Sequence, residues 1–428
     1  MFKGVEKMLP PRQKWPNHSV LAIDAKSFYA SVELSDRSLD PLKTKLAVVS
    51  DLSKRGSVVL AASPELKLQH NIKTGSRLFQ IPNREDIILA QSRMGRYVDV
   101  SMGIMDILYK YAPSEAIHAY SIDEWMITID GTEHMHGSHK QVAMKIKHDI
   151  YKVFGIPVSI GWGQNKVVAK ITMDLIGKKS GYAECSYDQI ETLLWPHSVR
   201  DVWGIGGRYA RRLNAMGIYT LGQLAQKPLH VLRQEFGPAM GEQFYYHANG
   251  LDYSPVFVDP ILEARKGFSN GITFMTDYSW EDTKVVIHEL SDLLAARLRS
   301  YHMAAFTVNL SMRYTSDYNG RRFSQSITLA SATNLSIHLF EACMTMNSKN
   351  EIPAPIRQIS MSVTNVIHES EIQLDLFSWE EDDKQRALES ALDKIVAKFG
   401  TTGIFRATSL TKAGTLQDRA KKIGGHYE

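Results

Sequence analysis

Cysteine is almost missing from this chain. Cys185 and Cys343 are the only two in 428 residues, and they form no C-x-x-C pair. That excludes a zinc ribbon or a disulfide framework as the organising device and fits a reducing cytoplasm. Long apolar runs are missing too. The opening MFKGVEKMLPPRQKWPNHS lacks the continuous apolar core of a signal peptide. No segment is long and apolar enough to span a bilayer, so no membrane partner is expected. Neither sign of charge dominates: 50 Lys and Arg face 46 Asp and Glu, a net charge of +4. So mild a basic excess permits a nucleic-acid partner without demanding one. What is present is an ordinary globular composition, 44% hydrophobic and 22% charged. At roughly 100–200 residues per domain, the length suggests about two to four domains.

Hydrophobic patterning divides the chain. Residues 1–18 are basic and proline-rich and read as an arm. Val20-Leu21-Ala22-Ile23 predicts a buried strand that ends at Asp24. Leu46-Ala47-Val48-Val49 and Val58-Val59-Leu60 predict two more, separated by a polar turn at 51–56. Helical spacing recurs at 65–69, 98–111, 139–154 and 166–176. Residues 117–129 are strand-like but interrupted by Asp123-Glu124, and Val158-Ser159-Ile160-Gly161 is a further strand. This alternation around an acidic centre predicts an α+β catalytic domain. Residues 186–250 read as short helices punctuated by glycine, followed by a linker carrying Pro255 and Pro260. Beyond it the pattern predicts strand 268–275, helix 281–301, strands 305–314 and 321–329, helix 334–347 and strand 357–366. That β-α-β-β-α-β order is a split βαβ domain. Alternation in Thr307-Val308-Asn309-Leu310-Ser311-Met312-Arg313-Tyr314 predicts one apolar sheet face and one polar, open face. No internal repeat occurs.

The acids at the centre carry the first chemical signal. Phosphoryl transfer at neutral pH needs a hydroxyl turned into a nucleophile and charge neutralised on phosphate and leaving group. Two Mg²⁺ ions about 3.5–4 Å apart do both. Mg²⁺ takes hard oxygen ligands and keeps several waters, so a few carboxylates suffice. Asp24, Asp123 and Glu124 are the candidates. Neighbouring side chains on a flat strand point to opposite faces, so Asp123 and Glu124 can share a site only near a bend. An Asp after a strand also serves as a turn residue, and an Asp-Glu pair is commonly solvated. Flanking Ile, Ala, Trp and Met favour the metal reading, because a lone buried carboxylate is costly.

Three stretches carry a family resemblance. Asp24-Ala25-Lys26-Ser27-Phe28-Tyr29-Ala30-Ser31-Val32-Glu33 resembles the opening motif of the Y-family translesion DNA polymerases. Ser121-Ile122-Asp123-Glu124 resembles their second acidic motif, and Gly161-Trp162-Gly163-Gln164-Asn165-Lys166-Val167-Val168-Ala169-Lys170 the stretch that follows it. Order and spacing match over roughly residues 18–370. Within the family the chain is most similar to the UmuC-type branch, in particular the UvrX-like proteins of Gram-positive bacteria and their phages.

The resemblance implies an α+β right-hand polymerase and a domain plan. The palm would be 19–33 and 91–185, the fingers 34–90, and a helix-hairpin-helix thumb 186–255. A linker at 256–265 and a split-βαβ little finger at 266–370 follow, then a clamp-binding peptide and tail at 371–428. Asp24 and Asp123 would bridge two Mg²⁺ ions, Glu124 would complete the one activating the primer 3′-hydroxyl, and the backbone carbonyl of Ala25 would ligate the nucleotide-bound one. Tyr29 would be a steric gate against a ribose 2′-hydroxyl, with Phe28 beside it in the dNTP site. Pro64 stands where many members carry an aromatic residue and Lys67 where they carry Arg. Lys67 can neutralise a triphosphate but cannot form a bidentate fork. Lys178 is a second triphosphate candidate. Lys179 stands close behind it, because this loop is one residue longer than the family pattern.

Val202-Trp203-Gly204-Ile205-Gly206-Gly207 has helix-hairpin-helix spacing, in which the backbone N–H groups at Gly204 and Gly206 would approach a DNA phosphate. On the little finger, Lys266, Arg313, Arg321 and Arg322 are candidate phosphate contacts. Gln373-Leu374-Asp375-Leu376-Phe377 resembles the peptide by which bacterial polymerases bind the sliding clamp: Leu374, Leu376 and Phe377 supply apolar side chains and Gln373 bonds at the rim. The expected partners are primer-template DNA, dNTPs, the clamp and SOS-type activator proteins. The tail at 380–428 reads as a helical partner-binding segment or a nucleic-acid contact through Arg419, Lys421 and Lys422. Two other readings remain: a non-catalytic DNA- or clamp-binding accessory that retains the fold, for which Pro64 and Lys67 speak, and another two-metal enzyme such as a nuclease or nucleotidyl cyclase.

Overall fold

The computed structural model describes residues 9–257, 266–315, 321–347, 354–373 and 379–427. The described chain separates near residue 260 into two compact units.

The first unit opens with β1 (Val20–Ala25), apolar up to Asp24 because both of its faces are covered. Ser27 then turns the chain in the left-handed region, φ 48°, into α1 (Phe28–Ser35). β2 (Lys45–Val49), β3 (Val59–Ala62), α2 (Pro64–His70) and β4 (Ile87–Gln91) make a small three-stranded sheet of order β3-β2-β4. Its own core is Ala47, Val49, Val59, Leu66 and Ile72. Pro64 has a local reason: it occupies the first position of α2, where no N–H is needed, and the Ser63 side chain caps Leu66 N.

α3 (Met94–Leu108) leads back, and β5 (Ile117–Ala119) and β6 (Glu124–Thr128) form a hairpin. α4 (Glu133–His136), α5 (His139–Phe154), β7 (Val158–Gly163), α6 (Lys166–Thr172), α7 (Lys178–Ser180) and β8 (Tyr182–Cys185) complete a sheet of order β5-β6-β1-β7-β8. β1 is antiparallel to both of its neighbours, and β7 runs parallel to β8. One face of the sheet packs Ile23, Trp125 and Ile127 with Val100, Ile104, Ile146 and Ile150 from α3 and α5. The other places Val20 and Ala22 against Ala169 and Met173.

The helix expected over 166–176 is not uniform. Regular α geometry ends at Thr172 and widens into a π turn, Met173–Gly177, before α7. An i→i+5 turn accommodates one more residue than an α turn. Gly161 and Gly163 permit α6 to lie directly on β7. A Cβ at Gly161 would stand 2.3 Å from Met173 N, and one at Gly163 2.5 Å from Ala169 N.

Short helices α8 (Ile190–Leu193), α9 (Gly207–Ala215), α10 (Leu221–Ala225), α11 (Leu229–Phe236) and α12 (Pro238–Ala248) close around Val202, Leu213, Leu224, Leu232 and Phe244. The hairpin glycines are preceded not by a full helix but by one 3-10 turn, Val199–Asp201.

The second unit runs β9 (Gly267–Tyr278), α13 (Trp280–Ser300), β10 (Met303–Tyr314), β11 (Arg322–Thr333), α14 (Ser336–Asn347) and β12 (Ile356–His368), the order that period and spacing predict. Its antiparallel sheet has the order β11-β10-β12-β9. Val308, Leu310, Met312, Ile359 and Met361 meet Val286, Leu290, Leu294, Leu339 and Cys343 from the two helices.

The tail is a fastened part of this unit. Asp393 of α15 (Trp379–Phe399) accepts from Arg299 Nε at 2.6 Å, and buried Glu389 accepts from Ser336 N at 3.0 Å, at the start of α14. Arg406 pairs with Asp292. Buried Glu289 accepts from the backbone N–H groups of Thr415 and Leu416, at the start of α16 (Leu416–Arg419), and from Arg419. Carboxylates at helix N-termini satisfy otherwise orphaned donors. Of the residues offered from sequence for a nucleic-acid contact as one of two readings of the tail, Arg419 pairs with Glu289 of α13, Lys422 with Asp418, and Lys421 is exposed. For Arg419 the reason is burial: a buried Glu289 requires a cation. Among the described residues no helix is long and apolar enough to cross a membrane.

Gly161→Ala should lower the stability of the first unit by roughly 1–3 kcal/mol or more, because the clashing atoms are backbone and cannot turn away. Urea unfolding followed by tryptophan fluorescence checks it; an unchanged midpoint would show that α6 has room to lift off β7.

Candidate active site

Strand register creates the centre of the site. Asp24 on β1 lies directly opposite Glu124 on β6. Directly opposed residues on antiparallel strands project to the same face with Cβ atoms about 4.5–5.5 Å apart. Both carboxylates are largely buried, their side chains retaining 14% and 17% exposure. Burial pushes the Asp24 carboxyl up to about 7, the neighbouring Lys178 works against that rise, and hydrogen bonding with Glu124 adds to it. Burial also resists ionisation of Glu124, but its bonds to Asp24 and Lys170 outweigh this and hold it below the ordinary glutamate value. The two acids therefore share the charge unequally, with Glu124 the more acidic.

Two lysines balance them. Lys170 Nζ donates to Glu124 at 2.7 Å and lies 3.2 Å from Asp174; its side chain is only 4% exposed. Lys178 Nζ lies 2.9 Å from Asp24, 2.9 Å from Asp174 and 3.8 Å from Glu124, at 39% exposure. Lys170 is thus the fixed cation and Lys178 the one that solvent and a ligand can reach. Burial alone would lower the Lys178 pKa; attraction to Asp24 and Asp174 holds it above the ordinary lysine value. The π turn brings Lys178 here, four residues after Asp174, while Lys179 is exposed.

Asp123 is placed differently. Its backbone carbonyl accepts from Ala25 N at 2.9 Å, which ties the β5–β6 turn to the end of β1. Its carboxylate accepts from Ser121 Oγ at 2.7 Å. The bend needed to bring Asp123 and Glu124 to one region is this hairpin. Nevertheless, among the described residues no three His, Cys, Asp or Glu side chains close into a metal-holding group. Asp24 and Glu124 converge; Asp123 stands beside them with its side chain turned to Ser121.

Further groups line the same region. Lys67 on α2 donates to Ser27 Oγ at 2.7 Å, in the left-handed turn between Asp24 and Tyr29. Its burial lowers its pKa, partly offset by Asp24. Tyr29, second residue of α1, stacks on Tyr97 with centroids 4.4 Å apart, Phe28 tilting against it at 5.8 Å. Burial and the charge of Asp123 raise the Tyr29 pKa. Asp174, Tyr97 and Glu33 had not been assigned a role from sequence. The four-residue spacing of Lys170, Asp174 and Lys178 was the available signal for the first, since side chains at that spacing share a helical face.

The hairpin ahead of α9 has Gly204 at φ 86°, and a Cβ at either Gly204 or Gly206 would meet open space. Their backbone is therefore accessible where a helix begins. Trp203 packs edge-on to Tyr120 of the acidic hairpin, centroids 6.1 Å apart. In the second unit Arg313 and Arg322 are directly opposed on β10 and β11, and Arg321 is exposed beside them. Like charges directly opposite destabilise a sheet unless an anion joins them. Lys266 is exposed at the start of β9. Gln373 is exposed, whereas Leu374, Leu376 and Phe377 lie outside the described residues.

Comparison with known proteins points the same way. Residues 23–174 match the impB/mucB/samB family, 265–376 match the impB/mucB/samB family C-terminal domain, and 200–252 match the thumb domain described as DNA polymerase-iota. The chain is 36% identical over 417 residues to a protein of Bacillus subtilis (strain 168) named "Putative UV-damage repair protein UvrX", covering 96% of this chain and 98% of that one. It is 35% identical to "DNA polymerase IV 2" of the same organism, with 96% and 98% covered. It is 33% identical to "DNA polymerase IV" of Pelotomaculum thermopropionicum, with 94% and 97% covered.

Proposed function

The chain belongs to the impB/mucB/samB family of Y-family DNA polymerases, and from that premise we propose how its residues carry out synthesis on damaged templates. It is a DNA-directed DNA polymerase of the translesion type, an α+β multidomain chain acting on primer-template DNA and dNTPs. The observation that carries the chemical reading is the buried cross-strand pair Asp24–Glu124 with Lys178 at its open side.

The β5-β6-β1-β7-β8 sheet and its helices serve as the palm (19–33 and 91–185). The small sheet serves as the fingers (34–90), the helical cluster as the thumb (186–255), and 266–370 as the little finger. The family brings a divalent-metal requirement. The residues fit two Mg²⁺ ions: the donors are hard carboxylate oxygens, and burial makes Asp24 costly to ionise without a cation beside it. Asp24, Asp123, Glu124 and the Ala25 carbonyl would hold them. Bound there, the ions would supply the charge that turns the primer 3′-hydroxyl into a nucleophile and neutralises the triphosphate. Asp123 would have a carboxylate oxygen available for this role, because Ser121 bonds to Oδ1.

The chain's own groups do the rest. Lys178 and Lys67 present positive charge from two sides to an incoming triphosphate. Phe28 and Tyr29 floor the sugar site, with Tyr29 as the gate. Gly204 and Gly206 receive a DNA phosphate on the backbone of the α9 N-terminus, a contact that positions without reading sequence. Arg313, Arg321 and Arg322 take backbone phosphates on the polar face of the second sheet, relieving their mutual repulsion. Synthesis of the translesion type is of low fidelity and without proofreading. Gln373, Leu374, Leu376 and Phe377 bind the sliding clamp, which raises the effective concentration of a weakly held primer. SOS-type activators complete the expected partners, and the two buried free cysteines suit a reducing cytoplasm.

Primer extension with Mg²⁺ and dNTPs tests the core of this reading. Asp123→Ala and Asp24→Ala should each reduce kcat by about a hundredfold or more, the scale of losing a principal charge-stabilising group; extension that survives both substitutions would sink the assignment. Tyr29→Ala should admit ribonucleotides while DNA synthesis remains measurable, and unchanged sugar selectivity would remove the gate. Replacing Leu376 and Phe377 with Ala should abolish stimulation by the clamp and spare clamp-free extension; equal stimulation of variant and parent would refute the peptide's role.

A further inference from the structure

A steric gate discriminates between a hydrogen and a hydroxyl on one sugar carbon, so its ring must be held to within about 0.5 Å of its working position. Tyr29 sits in the first turn of its helix, two residues after Ser27 with its positive φ, and is only partly buried. Nothing in its own backbone fixes the plane of the ring. The ring beneath it does. Tyr97 stacks on Tyr29 nearly parallel, with centroids 4.4 Å apart and planes 13° apart. Phe28 bounds the same cluster, 6.5 Å from Tyr97 and edge-on.

Tyr97 is itself anchored. It has no exposed surface, and its hydroxyl donates to Glu33 Oε1 at 2.9 Å. Glu33 lies one turn along α1 from Tyr29, is equally buried, and accepts from Arg93 Nε at 2.8 Å and from Arg37. Arg93, just ahead of α3 and four residues before Tyr97, also donates to Asp36 of the α1 end at 2.7 Å. Two residues four apart on α1 thus grip Tyr97 of α3 and Arg93 at the entry to that helix. One rung is a ring stack and the other a charge-assisted hydrogen bond, and the Tyr97 hydroxyl joins them. A buried carboxylate with three side-chain donors is an expensive arrangement to maintain merely for packing.

We propose that Tyr97 is a positioning residue for sugar selection: its ring sets the plane of Tyr29, and the Glu33–Arg93 pair sets the ring of Tyr97. This rests on the reading of Tyr29 as the gate. Removing the platform leaves Tyr29 in place but free to tilt, so a 2′-hydroxyl is tolerated more easily while a deoxyribose is accepted much as before.

The experiment compares single-nucleotide insertion of a ribonucleotide and the matching deoxynucleotide by the full chain, as the ratio of their kcat/KM values. Both substrates are measured on the same preparation, so any loss of folded protein cancels in the ratio. Tyr97→Leu should lower discrimination about three- to tenfold, the range that loss of one aromatic pair allows. Tyr97→Phe keeps the stacked ring but loses its bond to Glu33, and should give a ratio between that of the parent and that of Tyr97→Leu. Tyr29→Ala should lower discrimination further, and Tyr29→Ala combined with Tyr97→Leu should match Tyr29→Ala alone, because a platform without a gate has nothing to position. If Tyr97→Leu slows both substrates equally, the residue is structural only and the proposal fails while the gate stands. If Tyr29→Ala leaves discrimination unchanged, the gate reading itself fails and takes the proposal with it.

Discussion

Two carboxylates directly opposed on adjacent strands cannot both be ionised and buried unless positive charge stands against them. Asp24 and Glu124 are in that position because β1 pairs with β6 in one register and no other. Much of the surrounding structure follows from that constraint. Lys170 is buried to meet Glu124, and Asp174 is placed one helical turn on to hold both lysines. Gly161 and Gly163 are needed because the helix carrying Lys170 must lie directly against the sheet to reach the pair. The π turn is needed because Lys178 must then face back toward Asp24.

The same arrangement divides labour between cations. A fully buried ammonium cannot leave without stranding its partner, so Lys170 belongs to the scaffold. Lys178, more exposed and shared among three carboxylates, can exchange partners at low cost. Lys67 approaches from the small sheet through the left-handed turn at Ser27. The departure from the family pattern at Pro64 and Lys67 thereby acquires a physical account. Pro64 starts a helix, and Lys67 projects from that helix to the turn beside the acids.

The second unit shows how a polar surface is kept available. Its sheet turns one face to α13 and α14, and the tail fastens to those helices through Glu289, Asp292 and Arg299. Serine, threonine and arginine alternate along the other face, with Arg313 and Arg322 opposed in register. Like charges so opposed repel one another, and an anion between them would relieve that repulsion.

Much of this was legible in the linear chain. Asp24 ends an apolar run, the Asp123-Glu124 interruption marks a hairpin, and period-two alternation with two helical stretches yields the β-α-β-β-α-β order. These are local patterns, determined by residues within one element or one turn, and so the sequence by itself determined them. The tertiary structure alone decided the pairings between elements. It set Lys178 rather than Lys179 against Asp24, brought Asp174 into the acidic centre, turned the Asp123 side chain to Ser121, stacked Tyr97 under Tyr29, and tied Arg419 to Glu289. Each depends on strand register, helical phase or the extra residue of a π turn, quantities set by packing between segments distant in the chain. No composition or spacing within one segment encodes them.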